Sequence, residues 1–285
     1  MAKKKEAEKP IIDVNLPMRE QFSNKSTFGK VLNIAGSEYY TGAAYLSSIS
    51  ALKMGCGYVA LSSSPKVLNV LSLRTSDVVF VPIDTVKKRI DDFDVISIGC
   101  GLSMDAGVSI LFKSVLEKLS NVDKPVIIDA DGLNLLAKMK DDVSLPSNLI
   151  ITPHPKEASR LLKIEVEEIL DKPMQYASEL SQKYKSTTVL KGHSTVICSP
   201  ELEIYVNTTG NSALAKAGTG DVLTGMISGL CAQGMTCFDA AKLGVYLHGR
   251  TGEIASGMLS EYSVLASDLL NYIPIAINEF LRPED

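Results

Sequence analysis

The run Ala217-Gly218-Thr219-Gly220-Asp221 joins a glycine-rich turn to a carboxylate just where an apolar helix begins. Val222, Leu223, Met226, Ile227 and Leu230 follow at helical spacing, which puts Gly218, Thr219 and Gly220 at the N-terminus of that helix. The first N–H groups of a helix have no intrahelical partner and lie at the positive end of its dipole, an arrangement that suits a phosphate. A carboxylate beside bound phosphate cannot be there to attract it. Its chemistry is that of a base: Asp221 would take a proton from a substrate hydroxyl while the three residues before it stabilise charge on the transferred phosphoryl group. The competing reading is local, with Asp221 as a helix cap and the glycines as turn formers.

Four more polar clusters end apolar runs. Val126 to Asn134 (VIIDADGLN) carries Asp129 and Asp131, and Ile150 to Glu157 (IITPHPKE) sets His154 between prolines ahead of Glu157. Val189 to Thr195 (VLKGHST) supplies Lys191, and Ser97 to Leu102 (SIGCGL) is a glycine turn. Each admits a local role. Asp131 suits a turn, Glu157 the first turn of a helix, His154 a loop and Lys191 a solvated strand end. Strand ends on one edge of a parallel sheet nevertheless converge in space, so the clusters together point to a single site.

The elements that must position these residues alternate along the chain. Val31 to Ala35, Gly57 to Leu61, Val78 to Val81, Val95 to Ile98, Val126 to Asp129 and Leu149 to Thr152 read as strands, mostly continuous apolar runs suited to burial on both faces. Helical patterns such as Thr41 to Met54, Ala106 to Leu119 and Glu157 to Leu162 lie between them. This alternation predicts a mostly parallel sheet with right-handed crossovers and helices on both faces. Closely spaced strands at Thr187 to Leu190, Thr195 to Cys198 and Glu203 to Val206 then predict an antiparallel edge. Three helices follow, at Asp221 to Gln233, Phe238 to Ser256 and Ser263 to Leu281.

With 285 residues and 45% hydrophobic side chains, the chain can bury a large core, and the absence of repeats or long linkers favours one domain over residues 27–285. Residues 1–26 read as a flexible N-terminal extension, with a charged start that lacks the apolar stretch of a signal peptide. A net charge of -4 without a basic stripe argues against nucleic acid. No run approaches the roughly 18 to 20 apolar residues of a membrane span. Cys56, Cys100, Cys198, Cys231 and Cys237 show no metal-ligand spacing and read as reduced residues of a cytoplasmic protein.

The order of these motifs resembles the ribokinase-like superfamily, and within it the ADP/ATP-dependent NAD(P)H-hydrate dehydratases. The resemblance covers nearly all of Gly29 to Leu281. The Gly218 to Asp221 motif marks the superfamily, whereas Thr152-Pro153-His154-Pro155 and Gly42-Ala43-Ala44 separate the dehydratases from sugar and vitamin kinases. Three positions depart from the family pattern: Cys100 stands in place of the usual proline, Ser103 in place of glycine, and Lys156 where glycine is common.

The resemblance implies a three-layer α/β/α sandwich and the repair of hydrated nicotinamide cofactors, the S form of NADHX or NADPHX being returned to NADH or NADPH with release of AMP and phosphate. Ala43, Gly101, His154 and Asp221 are the positions it implies for the hydrate. Lys191, Gly192, His193, Ser194, Thr195 and Gly220 are those it implies for the nucleotide, expected to be ADP, with ATP as the alternative. Magnesium is expected near Glu157 and Asp131, largely through water. A homotetramer is expected, because no lid interrupts residues 57–98 and the site needs cover from bulk water. The 26 residues before Thr27 are too few for an independent domain, so a separate chain is expected to supply the hydrate epimerase. Two other functions stay open at this point: a kinase of the same fold acting on a hydroxymethylpyrimidine, thiazole or sugar, and a nucleotide sensor without turnover.

Overall fold

Apolar runs that had no polar face in sequence become strands covered on both sides. A computed structural model describes residues 12–139 and 143–282. Among the described residues nine strands are formed: β1 (Lys30–Ile34), β2 (Tyr58–Ser63), β3 (Val79–Pro82), β4 (Val95–Ile98), β5 (Val126–Ile128), β6 (Leu149–Ile151), β7 (Ser186–Leu190), β8 (Val196–Cys198) and β9 (Ile204–Val206). They make one sheet in the order β3-β2-β1-β4-β5-β6-β7-β8-β9. Pairings from β3 to β7 are parallel, and β7-β8 and β8-β9 are antiparallel, as the spacing predicts.

Strand residues alternate between two cores. Val31, Val95, Ile127, Ile150 and Val189 face one layer of helices, while Leu32, Ile96, Ile128, Ile151 and Leu190 face the other. The first layer holds α1 (Thr41–Lys53), α2 (Pro65–Ser72), α9 (Thr219–Ala232), α10 (Cys237–Leu259) and α11 (Ala266–Leu281). The second holds α3 (Val86–Arg89), α4 (Ala106–Leu119), α5 (Asp131–Lys138), α6 (Pro155–Leu162), α7 (Val166–Asp171) and α8 (Pro173–Tyr184). The expected three-layer sandwich is therefore present, and its helix starts differ from the sequence reading by a few residues. Chief among these, α9 begins at Thr219, so Gly220 and Asp221 belong to its first turn.

Residues 12–26 carry no helix or strand and lie on the body, while residues 1–11 are outside the described residues. Asp13 pairs with buried Lys242 at 2.6 Å, Val14 joins the first core, and the Arg19 guanidinium stacks 3.9 Å from the Phe28 ring. All five cysteines are free. Among the described residues no helix is long and apolar enough to cross a membrane.

Small residues let α9 lie directly on α1. A Cβ at Gly225 would fall 2.0 Å from Ser50 Oγ and 2.1 Å from the Ser47 carbonyl, and one at Gly229 would fall 2.5 Å from the Ala51 carbonyl. Gly107, in the first turn of α4, has open space in the same direction. Gly225→Ala is expected to lower stability by about 1–3 kcal/mol through overpacking, whereas Gly107→Ala should be neutral or gain up to about 1 kcal/mol from helix propensity. Denaturant midpoints of the two variants check this, and equal midpoints would show that α9 has room to move.

Candidate active site

The site lies at the carboxyl ends of β1, β4, β5, β6 and β7, where the parallel strands deliver their loops. Asp129 follows β5 and is 1% exposed. Its Oδ1 accepts from Lys191 Nζ at 2.9 Å, and its Oδ2 accepts from Thr224 Oγ1 at 2.7 Å. Burial works against the Asp129 charge, but the Lys191 ammonium and the threonine hydroxyls outweigh it and hold the carboxyl below its usual range. Burial likewise opposes the Lys191 charge, and Asp129 and Glu157 more than restore it. Ala130 carries the turn between strand and helix at φ 48, a strained backbone that sends Asp129 inward and lets Asp131 open α5.

Asp221 stands across from this pair. The helix does not use it as a cap: Gly218 occupies the N-cap position at φ 94, and no side chain bonds the helix end. Burial, then the negative charge of Asp129, push the Asp221 carboxyl up to about 6, against the opposing effect of Cys100 and Lys191. Two carboxylates thus share one region with their proton affinities driven apart. Lys191 reaches the same helix end, since a Cβ at Gly220 would sit 3.4 Å from its Nζ. An ammonium, the Gly220 N–H and a poised carboxylate therefore meet at the start of α9, where the Thr219 N–H donates to the Lys216 carbonyl at 3.4 Å.

A cavity of about 850 Å³ opens beside them. Of the residues expected from sequence, His154, Lys191, Gly192, His193, Thr195, Thr219 and Gly220 line it, whereas Ser194, Gly218, Asp131, Glu157 and Asp221 itself are not on its wall. Ala43 and Gly101 pack against each other away from this wall, a Cβ at Gly101 falling 2.8 Å from Ala43 Cβ. The far wall was not anticipated: Asn207, Thr209, Asn211, Leu214, Val245 and His248 complete it. His248 is 8% exposed with no hydrogen-bond partner at Nε2, and burial, aided by Lys191, lowers it to about 4 despite the Thr219 backbone. Asp129, Thr224, Cys100 and His248 are the site residues given no role from sequence. Asp129 alone left a signal there, as a charge ending an apolar strand with Lys191 as its nearest strand-end cation.

His154 and Glu157 do serve a local role. His154 Nδ1 accepts from the N–H groups of Lys156 and Glu157, and Glu157 Oε2 accepts from the His154 N–H at 2.8 Å, a reciprocal cap for α6. Nε2 is then the nitrogen that carries the proton on the neutral ring. Burial and then Lys191 lower His154. Burial raises Glu157 to about 7, with Lys191 opposing and Asp129 adding to the rise. Asp131 Oδ2 accepts from the Ser103 N–H at 2.8 Å. Ser103 has φ 80, which accounts for the preference for glycine there. Asp131 and Glu157 each have one oxygen committed to backbone, so they suit a water-mediated metal contact. The ligand atoms that cluster within 4.8 Å belong instead to Cys100, Asp129 and Asp221. A thiol and a lysine-paired carboxylate suit magnesium poorly.

Because the Asp129–Lys191 pair is largely buried, removing either partner strands the other charge. Asp129→Asn and Lys191→Met are each expected to cost about 3 kcal/mol, and the double variant less than their sum. Urea denaturation of the four proteins tests this, and strict additivity would mean that the two charges do not interact.

The sequence profile of the family described as NAD(P)H-hydrate dehydratase matches residues 31–275. A bifunctional NAD(P)H-hydrate repair enzyme from Moorella thermoacetica is 36% identical over 278 residues, covering 92% of this chain and 52% of that protein. This chain thus spans about half the length of such bifunctional relatives. An ADP-dependent (S)-NAD(P)H-hydrate dehydratase from Neisseria meningitidis is 36% identical over 256 residues, covering 88% of this chain and 84% of that one. The crystal structure of ADP/ATP-dependent NAD(P)H-hydrate dehydratase from Bacillus subtilis, co-crystallised with ATP/Mg2+, superposes with a TM-score of 0.83 at 34% identity, covering 93% of this chain and 94% of that one. With its ribokinase-like sandwich and a profile match from β1 to α11, the chain belongs to the NAD(P)H-hydrate dehydratase family.

Proposed function

We propose that this protein dehydrates the S form of NADHX and NADPHX at the expense of ADP, or of ATP. The observation that carries the reading is the meeting of Asp221, Lys191 and the start of α9 beside a cavity lined by Lys191 to His193, Thr195 and Gly220. Asp221 takes the proton of the ring hydroxyl as that oxygen attacks the terminal phosphoryl group, and AMP leaves when ADP is the donor. Helix N–H groups at Thr219 and Gly220, with the Lys191 ammonium, stabilise the charge on the transferred group. Phosphate, a better leaving group than hydroxide, then departs as the ring nitrogen pushes in its electron pair. Loss of a proton from the neighbouring ring carbon restores the dihydronicotinamide.

His154, Ala43 and Gly101 are assigned to the hydrate, and Lys191 to Thr195 with Gly220 to the nucleotide. Magnesium would neutralise the phosphates, and Asp131 and Glu157 would hold it, through water. The support for it is that each carboxylate commits only one oxygen to backbone, together with the use of ATP/Mg2+ with the Bacillus relative.

Incubation with prepared hydrate, Mg²⁺ and each nucleotide should regenerate the absorbance of reduced nicotinamide and release free phosphate. A stable phosphorylated product would instead identify a kinase. Asp221→Asn is expected to keep nucleotide affinity and lose about 10²- to 10⁴-fold in turnover. Since the base acts ionised, kcat/KM should fall as pH drops below the value of about 6 for Asp221, a limb absent from the residual rate of the Asn variant. Undiminished turnover by Asp221→Asn would remove it as the base.

Exposed Tyr39, Tyr40 and Tyr262 stand on loops flanking the site, and we take a tetramer to provide the cover that excludes water. Light scattering at micromolar protein should give about four times 30.7 kDa. A fully active monomer would contradict this.

A further inference from the structure

Cys100 lies in the Gly99-Cys100-Gly101 turn after β4 and is wholly buried. Its backbone is clamped: the Gly36 N–H donates to the Cys100 carbonyl at 2.8 Å, and a Cβ at Gly99 would fall 2.0 Å from the Asp129 carbonyl. The side chain is thereby fixed between two acids. Cys100 Sγ, an Asp129 oxygen and an Asp221 oxygen all lie within 4.8 Å of one another, and in this structure Sγ donates to Asp129 Oδ2 at 3.7 Å with the Asp221 oxygen within its reach. Asp129 already accepts from Lys191 and Thr224. Asp221, whose carboxylate the helix end leaves unused, has far less support.

We propose that Cys100 is a positioning residue for the base: its S–H, held between the two carboxylates, donates to Asp221 while that group is ionised and keeps its oxygen aimed at the substrate hydroxyl. The proton stays on sulfur throughout, because burial and the two flanking negative charges put the thiol well above its ordinary range. No bond to sulfur is made or broken. When Asp221 is protonated the S–H turns to Asp129, so one thiol proton serves whichever acid needs it. The other groups facing Asp221 are Asp129 after β5, Asp131 opening α5 and Lys191 after β7, and Cys100 works with Lys191 against the two acids. Proline, the residue expected here from the resemblance, has no such proton. The proposal rests on reading Asp221 as the base.

The test compares kcat/KM against pH for the native protein, Cys100→Ala and Cys100→Ser, with hydrate, ADP and Mg²⁺. Cys100→Ala should move the acidic limb up by about one pH unit, the scale of one lost hydrogen bond to a charged group. Its turnover at about pH 6 should fall several-fold more than at about pH 8, with the nucleotide KM unchanged. Cys100→Ser keeps a donor and should leave the limb in place or lower it. An unmoved or lowered limb in Cys100→Ala overturns the proposal, and so does an equal upward move in both variants, which would trace the effect to lost volume.

Infrared spectroscopy of the free protein supplies a readout without turnover. The S–H band lost in Cys100→Ala should shift to lower frequency as pH rises through the Asp221 titration, and the shift should vanish in Asp221→Asn. A band indifferent to pH rejects the proposal whether or not the hydrate is consumed. A band that shifts in a protein inert toward hydrate would reject the dehydratase reading and leave the thiol contact standing.

Discussion

The ion pair between Asp129 and Lys191 is the interaction on which the rest of the site depends. It ties the end of β5 to the end of β7 across β6, adding a side-chain link beyond the last rungs of the backbone ladder. Thr224 adds a bond from α9 to the same carboxylate, so strand ends and helix are fixed at one point. Such a pair costs desolvation that its attraction only partly offsets. Its retention in the interior fits a role in orienting Lys191 toward Gly220, where an anion would meet both.

From that pair follows the difference between two acids a few ångströms apart. Asp129 has a cation and hydroxyls and stays ionised, and its charge then makes a second charge nearby unfavourable. Asp221 bears that burden on top of its own burial, the larger cause, and its carboxyl rises to about 6. A carboxylate in that range can take a proton from a hydroxyl near neutral pH and give it up again, which an ordinary surface aspartate does poorly. The acid proposed as the base is therefore tuned by burial and by a second acid that has no part in the proposed reaction.

Much of this arrangement was legible in the sequence, for identifiable reasons. Buried parallel strands leave apolar runs, so β1 and β4 to β6 were found within about one residue, while β7, with its polar Ser186, Thr187 and Thr188, was found with the antiparallel edge from its short spacing. The Gly218 to Asp221 turn, Lys191 and His154 stood out because, although each admits a local role, clusters at several strand ends on one sheet edge converge in space. What sequence did not disclose depends on contacts between distant segments. Thr224 looks like any helical threonine until it meets Asp129, 95 residues earlier. His248 and Asn207 form the far wall of the cavity only because Gly249 lets α10 touch the loop at Thr209, where a Cβ would fall 2.1 Å from its Oγ1. The dual nature of Glu157 was also hidden: it caps α6, as its position suggested, and is at the same time buried near Lys191.

Close helix packing converts these local features into a catalytic geometry. Asp221 is one turn ahead of Gly225, the residue that seats α9 on Ser47 and Ser50 of α1. The first turn of α1 carries Ala43, which in turn meets Gly101 beside Cys100. The packing of α1, α9 and the β4 loop thus holds the proposed base, the proposed hydrate positions and the thiol together. Lys191 and the proposed nucleotide positions belong to the β7 edge. The Asp129 contacts are the bridge between these halves. Substrate specificity can then vary through the loops on either side while the distance between base and phosphate site stays fixed by packing.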